Sequence, residues 1–411
     1  MTAYELIKDL GGWEGCRVDL VERRTREGAS EEHAVVIGLV STGGSGVCEE
    51  CGSVCARMHE REARWVRELP VFGLACWLHV QRRRLWCEEC GGPKLERLSW
   101  LVPWARHTTR FAASVARLCK VATHKHVAAE YGIDRKTVKN IDKRHLEATL
   151  GPPDLTQVHT LAMDEFAIQK GHRYATVIIE PRRKEVLWVG RGRGREDVRP
   201  FFEMLGPAGR ERIQAVAMDM NAAYAQEVQA QCPNAEIVYD LFHVVAKYAR
   251  EVVDRVRVDE ANRVKDDKRA RKVIKSARWL LLRNEENITR EGDRVRLKEL
   301  LDANKRLATV YVLKDDLKQL WNFTCPQQAK QFWRQWRNRA MRSTIAPLKA
   351  FARKLEGYIG GILSHCRYPL HTSILEGINN KIKVIKRMAY GYRDDDYFFL
   401  KIRQAFPGNG T

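Results

Sequence analysis

The chain has 411 residues, enough for two or more domains, because a single hydrophobic core seldom grows past a few hundred residues. Its 72 Lys and Arg against 52 Asp and Glu give a formal charge of +20, a broad positive potential that points to a polyanionic partner, nucleic acid first among them. The opening MTAYELIKDLGGWEG lacks a basic region followed by an apolar run, and no stretch of about 18 uncharged apolar residues occurs, so neither a secretory signal nor a membrane span is expected.

In chain order, a short helical start precedes two apolar-rich runs, CRVDLVERRT and HAVVIGLV, that read as strands, and STGGSG marks a turn. From Cys48 to Cys90 the pattern is short strands between cysteine pairs. Of eleven cysteines, an odd number, four fall in two CEEC segments, Cys48 with Cys51 and Cys87 with Cys90. Each C-x-x-C sets two sulfurs on one tight turn, and four thiolates suit tetrahedral, structural Zn²⁺. That usage points to metal ligation in a reducing compartment, and so to a cytoplasmic protein, over disulfides. Cys55, His59 and Cys76 are spare donors that leave the ligand set open.

The stretch VAAEYGIDRKTVKNIDKRHL has the form of a helix-turn-helix. Val127, Ala128 and Ala129 begin one helix, Gly132 permits the turn, Ile133 seats in the core, and Asp134 caps a second helix. The exposed face of that second helix carries Arg135, Lys136, Lys139 and Asn140, suited to contacts with phosphates and base edges in a major groove.

After the linker GPPDLTQ the character becomes α/β. HTLAMDEFAI, YATVIIEP, EVLWVGRG and IQAVAMD read as strands, DVRPFFEML and AYAQEVQAQ as helices, and AEIVYDLFHV as a further strand. Asp164 lies within one apolar run and Asp219 ends another. An acid in an apolar strand is costly to bury unless paired or metal-bound, so these two become candidate ligands for Mg²⁺ or Mn²⁺. From about 246 to 360 the pattern is helical, with Val273, Ile274, Ala277, Leu280 and Leu281 on one stripe. A last helix, SILEGINNKIKVIKRM, sets Glu376, Asn380, Lys383 and Arg387 on one face and Ile378, Ile382 and Ile385 on another, and an aromatic segment, AYGYRDDDYFF, follows.

Together the cysteine pairs, LPVFGLACWLHVQRRRLWCEEC, MDEFAIQKGHRYATVIIE, VAMDMNAAYAQEV, AEIVYDLFHV and LEGINNKIKVIKRMAYGYRD resemble the ISL-three group of bacterial insertion-sequence transposases, over residues 47 to 395. The resemblance implies an α/β fold with a ribonuclease-H-like catalytic core and a helical insertion, preceded by a small zinc-binding β module and a helix-turn-helix domain. It implies a DDE triad of Asp164, Asp219 and Glu376, with Asp240 and His243 of YDLFH as supporting residues beside it. It also implies Lys381, Lys383, Lys386, Arg387 and Arg393 along DNA phosphates. The expected divisions are 1–46, an N-terminal α+β segment; 47–104, the zinc module; 105–150, the helix-turn-helix; 155–245, the first part of the core; 246–360, the insertion; and 361–411, the remainder of the core.

The function implied is binding of terminal inverted repeats of double-stranded DNA, then metal-dependent strand cleavage and strand transfer by a homodimer or higher oligomer at the bacterial nucleoid. The competing readings are a DNA-binding regulator, or domesticated transposase, with an inert core, and a nuclease that cuts without joining.

Overall fold

The computed structural model describes residues 2–25, 33–102, 104–169, 171, 173–283, 285–370 and 373–408. The chain forms two compact units, Met1–Gly151 with Lys386–Leu400, and Pro152–Ile385 with Lys401–Thr411.

In the first unit a helix, α1 (Ala3–Gly11), is capped by Thr2 and leads into β1 (Cys16–Thr25) and β2 (His33–Ser41). The short pair β3 (Gly46–Val47) and β4 (Val54–Cys55) is followed by β5 (Met58–Val71), β6 (Leu74–Cys87) and β7 (Gly92–Leu95). One sheet runs β1-β2-β6-β5, with β7 also on β6. β2 pairs parallel with β6 from Ala34 opposite Ala75 to Val40 opposite Gln81, so the N-terminal strands and the cysteine-bearing hairpin share a sheet. Where short strands were expected, β5 and β6 form one long hairpin. The charged start of β5 is exposed along its outer edge, which hides the alternation from a reading of the sequence.

Val66, Leu78, Val80, Ile37, Leu39 and Trp13 form the core under this sheet. Arg82 and Arg83 are buried within β6, a costly placement unless each guanidinium is paired. Arg82 donates to a Glu49 carboxylate oxygen at 2.8 Å and to the Glu96 carbonyl at 2.9 Å, while Arg83 Nε donates to Glu96 Oε2 at 2.9 Å.

The helices α2 (Thr109–Leu118), α3 (His124–Tyr131) and α4 (Arg135–Thr149) close over Phe111, Val115, Val127, Val138 and Ile141. Gly132 ends α3 at φ 61°, a left-handed conformation that favours glycine. Asp134 accepts from the Lys136 and Thr137 backbone N–H groups, which starts α4.

In the second unit β8 (Thr160–Gln169), β9 (Arg173–Glu180) and β10 (Glu185–Arg191) form an antiparallel meander. α5 (Arg195–Arg212) then leads to β11 (Ala215–Met218), α6 (Ala222–Gln231), β12 (Glu236–Tyr239) and α7 (Leu241–Tyr248). The sheet order is β10-β9-β8-β11-β12, with β11 parallel to both β8 and β12. α5 bends at Gly206, φ 70°, where Pro207 removes a backbone donor. The expected strand AEIVYDLFHV stops at Tyr239. Asp240 caps α7 instead, and its carboxylate accepts from Phe242 N at 3.0 Å.

Beyond α7 the chain is helical: α8 (Asp254–Arg263), α9 (Lys268–Ser276), α10 (Arg278–Leu282), α11 (Glu291–Ala303), α12 (Lys305–Lys318), α13 (Pro326–Arg342), α14 (Ala346–Glu356) and α15 (Ile359–Leu363). The stripe read as one face breaks at Ala277, between α9 and α10; Ile274, Ala277, Leu280 and Leu281 are buried, whereas Val273 is exposed. These helices share one apolar core with the sheet, running from Leu161 and Met218 through Tyr248 to Trp336 and Phe351. Trp336 Nε1 donates to the Leu313 carbonyl at 2.8 Å and the Tyr248 hydroxyl to that of Val310 at 3.0 Å, so both buried aromatics satisfy their polar ends. α16 (Ser373–Met388) and α17 (Asp395–Ala405) complete the chain. Among the described residues no helix is long and apolar enough to cross a membrane.

Candidate active site and metal centre

Parallel strands gather their C-terminal ends at one edge of a sheet, and loops leaving that edge place side chains together. Asp164 stands on β8 just past its pairing with β11, and Asp219 is the first residue after β11. Asp240 holds the equivalent position after β12, its N–H donating to the Met218 carbonyl at 3.1 Å. By capping α7, Asp240 fixes the helix whose first turn carries His243. His243 Nδ1 lies 3.9 Å from Asp219 Oδ2.

Two residues that the sequence did not single out complete this edge. Asn379, on α16, donates from Nδ2 to Asp164 Oδ2 at 2.6 Å. Glu165, next to Asp164, pairs with Arg193 at 3.3 Å, and that guanidinium covers the Tyr174 ring at 4.1 Å. Glu376 is exposed one helical turn before Asn379, on the same face of α16. As a set, the carboxylates of Asp164, Asp219 and Glu376 are not within 4.8 Å of one another among the described residues.

Electrostatics mark the pair of aspartates. Burial pushes Asp164 up to about 6, and the neighbouring charges of Asp219 and Glu165 push the same way, while the Glu165 N–H and His243 oppose them. Burial also raises Asp219, with Glu165 adding to it and His243 and Lys247 opposing. Buried like charges of this kind favour protonation unless a cation arrives. Asp219 Oδ1, Glu165 Oε2 and Asn379 Oδ1 are buried without a hydrogen bond. These are hard oxygen donors, the set that suits a divalent cation of the Mg²⁺ or Mn²⁺ class.

The cysteine pairs converge in the first unit. Cys48, Cys51, Cys87 and Cys90 bring their sulfurs within 4.8 Å of one another, with Cys48 4.0 Å from Cys90 and Cys51 3.5 Å from Cys87. A tetrahedron with metal–sulfur bonds of about 2.3 Å requires sulfurs roughly 3.8 Å apart, so the four thiols fit a zinc ion. Cys55 packs beside them but its thiol meets the Ser53 carbonyl at 3.6 Å, Cys76 is buried in the sheet core, and His59 lies against Trp86. Cys119, His124 and Asp142 also draw together, but His124 and Asp142 are joined through the Tyr397 hydroxyl.

On α4, Arg135, Lys136 and Asn140 are exposed. Lys139 is half-buried and pairs with Asp394 at 2.8 Å, alongside Lys143 at 3.0 Å. Lys381, Lys383, Arg387 and Arg393 are exposed, and Lys386 is half-buried.

Comparison with known proteins accords with this anatomy. A family model described as a transposase matches residues 161–402, one described as the helix-turn-helix domain of transposase family ISL3 matches 96–146, and one described as the zinc-finger of transposase IS204/IS1001/IS1096/IS1165 matches 44–90. The transposase for insertion sequence element IS1001 of Bordetella parapertussis is 54% identical over 409 residues, covering 100% of each chain. The transposase for IS1557 of Mycobacterium tuberculosis is 26% identical over 371 residues, covering 84% of this chain and 82% of its own.

Proposed function

The chain belongs to the ISL3 family of transposases, and from that premise we propose that it binds the terminal inverted repeats of an insertion sequence and cleaves and transfers their strands at a site formed by Asp164, Asp219 and Glu376. The observation that carries the residue assignment is the bond from Asn379 to Asp164, which ties the helix bearing Glu376 to the strand bearing Asp164. A ribonuclease-H-like core is supported by the sheet order β10-β9-β8-β11-β12, a meander of three strands followed by two parallel ones.

In this reading Asp164, Asp219 and Glu376 hold divalent cations, with Mg²⁺ the expected ion. Bound there, such ions would supply activation of the attacking water or 3′-hydroxyl and charge stabilisation for the leaving oxygen. Asn379 donates to one Asp164 oxygen, and Lys247 sets positive charge beside Asp219, with the His243 ring 3.9 Å from the same carboxylate. Glu376, on α16 one turn before Asn379, is the third carboxylate of this reading. Cys48, Cys51, Cys87 and Cys90 hold structural zinc, and Arg135, Lys136 and Asn140 read DNA from α4. Pairing two element ends requires more than one subunit, most simply a homodimer working at the nucleoid.

The test is Mg²⁺-dependent cleavage of labelled terminal duplexes by Asp164→Ala, Asp219→Ala and Glu376→Ala. Each is expected to lose cleavage while keeping duplex binding. Full activity in Asp219→Ala overturns the assignment, and cleavage without joining of pre-cut ends marks a nuclease instead.

A further inference from the structure

Within the first unit, the outer face of the β5–β6 hairpin and the turn of the helix-turn-helix enclose a cleft of about 670 Å³. That lies within the range of about 300–1,000 Å³ that encloses one small molecule, and it is too small for a duplex. Trp65, Trp77 and Trp104 line it, with Arg64, Arg106 and Thr137 of α4 at its walls. Trp65 is 45% and Trp104 71% exposed, so packing leaves part of each ring open.

Trp104 is held with φ at 60°, a conformation uncommon for a bulky residue. Its placement is enforced. The Trp104 carbonyl accepts from Arg64 at 2.8 Å, and the following segment is stitched to β5 by Arg67 N to Arg106 O at 2.8 Å and Thr108 N to Arg67 O at 3.0 Å. Arg67 is occupied by the Tyr131 carbonyl at 2.9 Å, whereas Arg106 is exposed to solvent. One carboxylate, Glu62, faces three guanidiniums, and His107 keeps a buried Nδ1 without a hydrogen bond.

Aromatic planes beside arginines are the chemistry that holds an unstacked base and its phosphate. We propose that this cleft takes a single unstacked nucleotide of the DNA strand that α4 reads, its base against Trp65 and Trp104 and its phosphate on Arg106. Continuity with the helix-turn-helix, whose residues Gly132, Ile133 and Thr137 form one wall, selects DNA as the occupant. The inference rests on the helix-turn-helix binding the terminal repeat.

The experiment uses the full chain and a labelled terminal-repeat duplex. Binding is measured by anisotropy, and 5-iodouracil placed at successive thymine positions is photo-crosslinked and mapped by mass spectrometry. A Trp65→Ala, Trp104→Gly double variant is expected to bind about tenfold more weakly. The single Trp104→Gly variant should bind more weakly while keeping its melting temperature, because glycine suits the left-handed backbone at 104. Trp104→Phe, which retains a stacking plane, should bind like the parent, and the parent should crosslink at Trp65 or Trp104. Unchanged affinity in the double variant, or crosslinks confined to α4, overturns the cleft while leaving the helix-turn-helix reading intact. Absence of duplex binding by the parent overturns both.

Discussion

Asn379 donates to Asp164 at 2.6 Å across 215 residues of sequence, so a strand from the start of the second unit and a helix near its end are fixed by a single amide. A hydrogen bond to a charged group contributes about 1.5–3 kcal/mol. Asn379→Ala should therefore slow cleavage of a labelled terminal duplex by roughly 10- to 100-fold without weakening duplex binding. Cleavage at the parental rate would show that the amide is only packing.

The aspartate pair predicts a linked dependence on pH and metal. Asp164 is raised to about 6 and Asp219 is raised as well, mainly by burial, so between the unfolded carboxylate value of about 3.9 and the folded one the native chain holds more protons. Their contribution to stability is therefore present at low pH and lost as pH rises through about 6. Melting in EDTA should show Asp219→Asn more stable than the parent at pH 7.5, by about 1–3 °C. Mg²⁺ should raise the parent's melting temperature more at pH 7.5 than at pH 5.5 and leave the variant unmoved. Equal Mg²⁺ responses would remove Asp219 from the ligand set.

For the thiols, elemental analysis should find one zinc per chain from this cluster. Cys87→Ser, at a wholly buried position among the four, should lose it and lower the melting temperature. Cys55→Ser should retain the metal, because the Cys55 thiol meets a backbone carbonyl. Loss of zinc in Cys55→Ser would exchange one of the four assigned ligands.

Lys139 and Lys136 are separated by their partners. Asp394 engages Lys139 at 2.8 Å, whereas Lys136 is exposed on α4. In a plot of log affinity against log salt, Lys136→Ala should lower the slope by about one, and Lys139→Ala by less. Asp394→Ala, by freeing Lys139, should steepen the slope. A flat response to all three would place the phosphate contacts elsewhere.

The candidate site was legible in the sequence where local energetics alone demanded an explanation. Asp164 stands in an apolar strand and Asp219 directly follows another, and four cysteines in two tight pairs have few uses other than a metal. Asn379 was not legible, because an amide on the polar side of an amphipathic helix looks solvated until the helix packs. Glu165 was hidden by its neighbour, since alternation along a strand assigns only one of two adjacent acids inward. AEIVYDLFHV misled because Leu241 and Phe242 prolong an apolar run, although Asp240 ahead of them is also a helix-capping residue. The long hairpin of β5 and β6 was obscured by charged residues on a strand whose first half is exposed.

Residues Lys386–Leu400 belong to the first unit, where Asp394 grips Lys139 and Lys143 and the Tyr397 hydroxyl joins Asp142 and His124. The unit that holds the helix-turn-helix is thus written in two places in the gene. A crossover between related elements near codon 151 would set one parent's α4 against the other parent's Asp394, so the two stretches must be inherited together. A ribosome that stops before codon 400 leaves this unit without its closing segment.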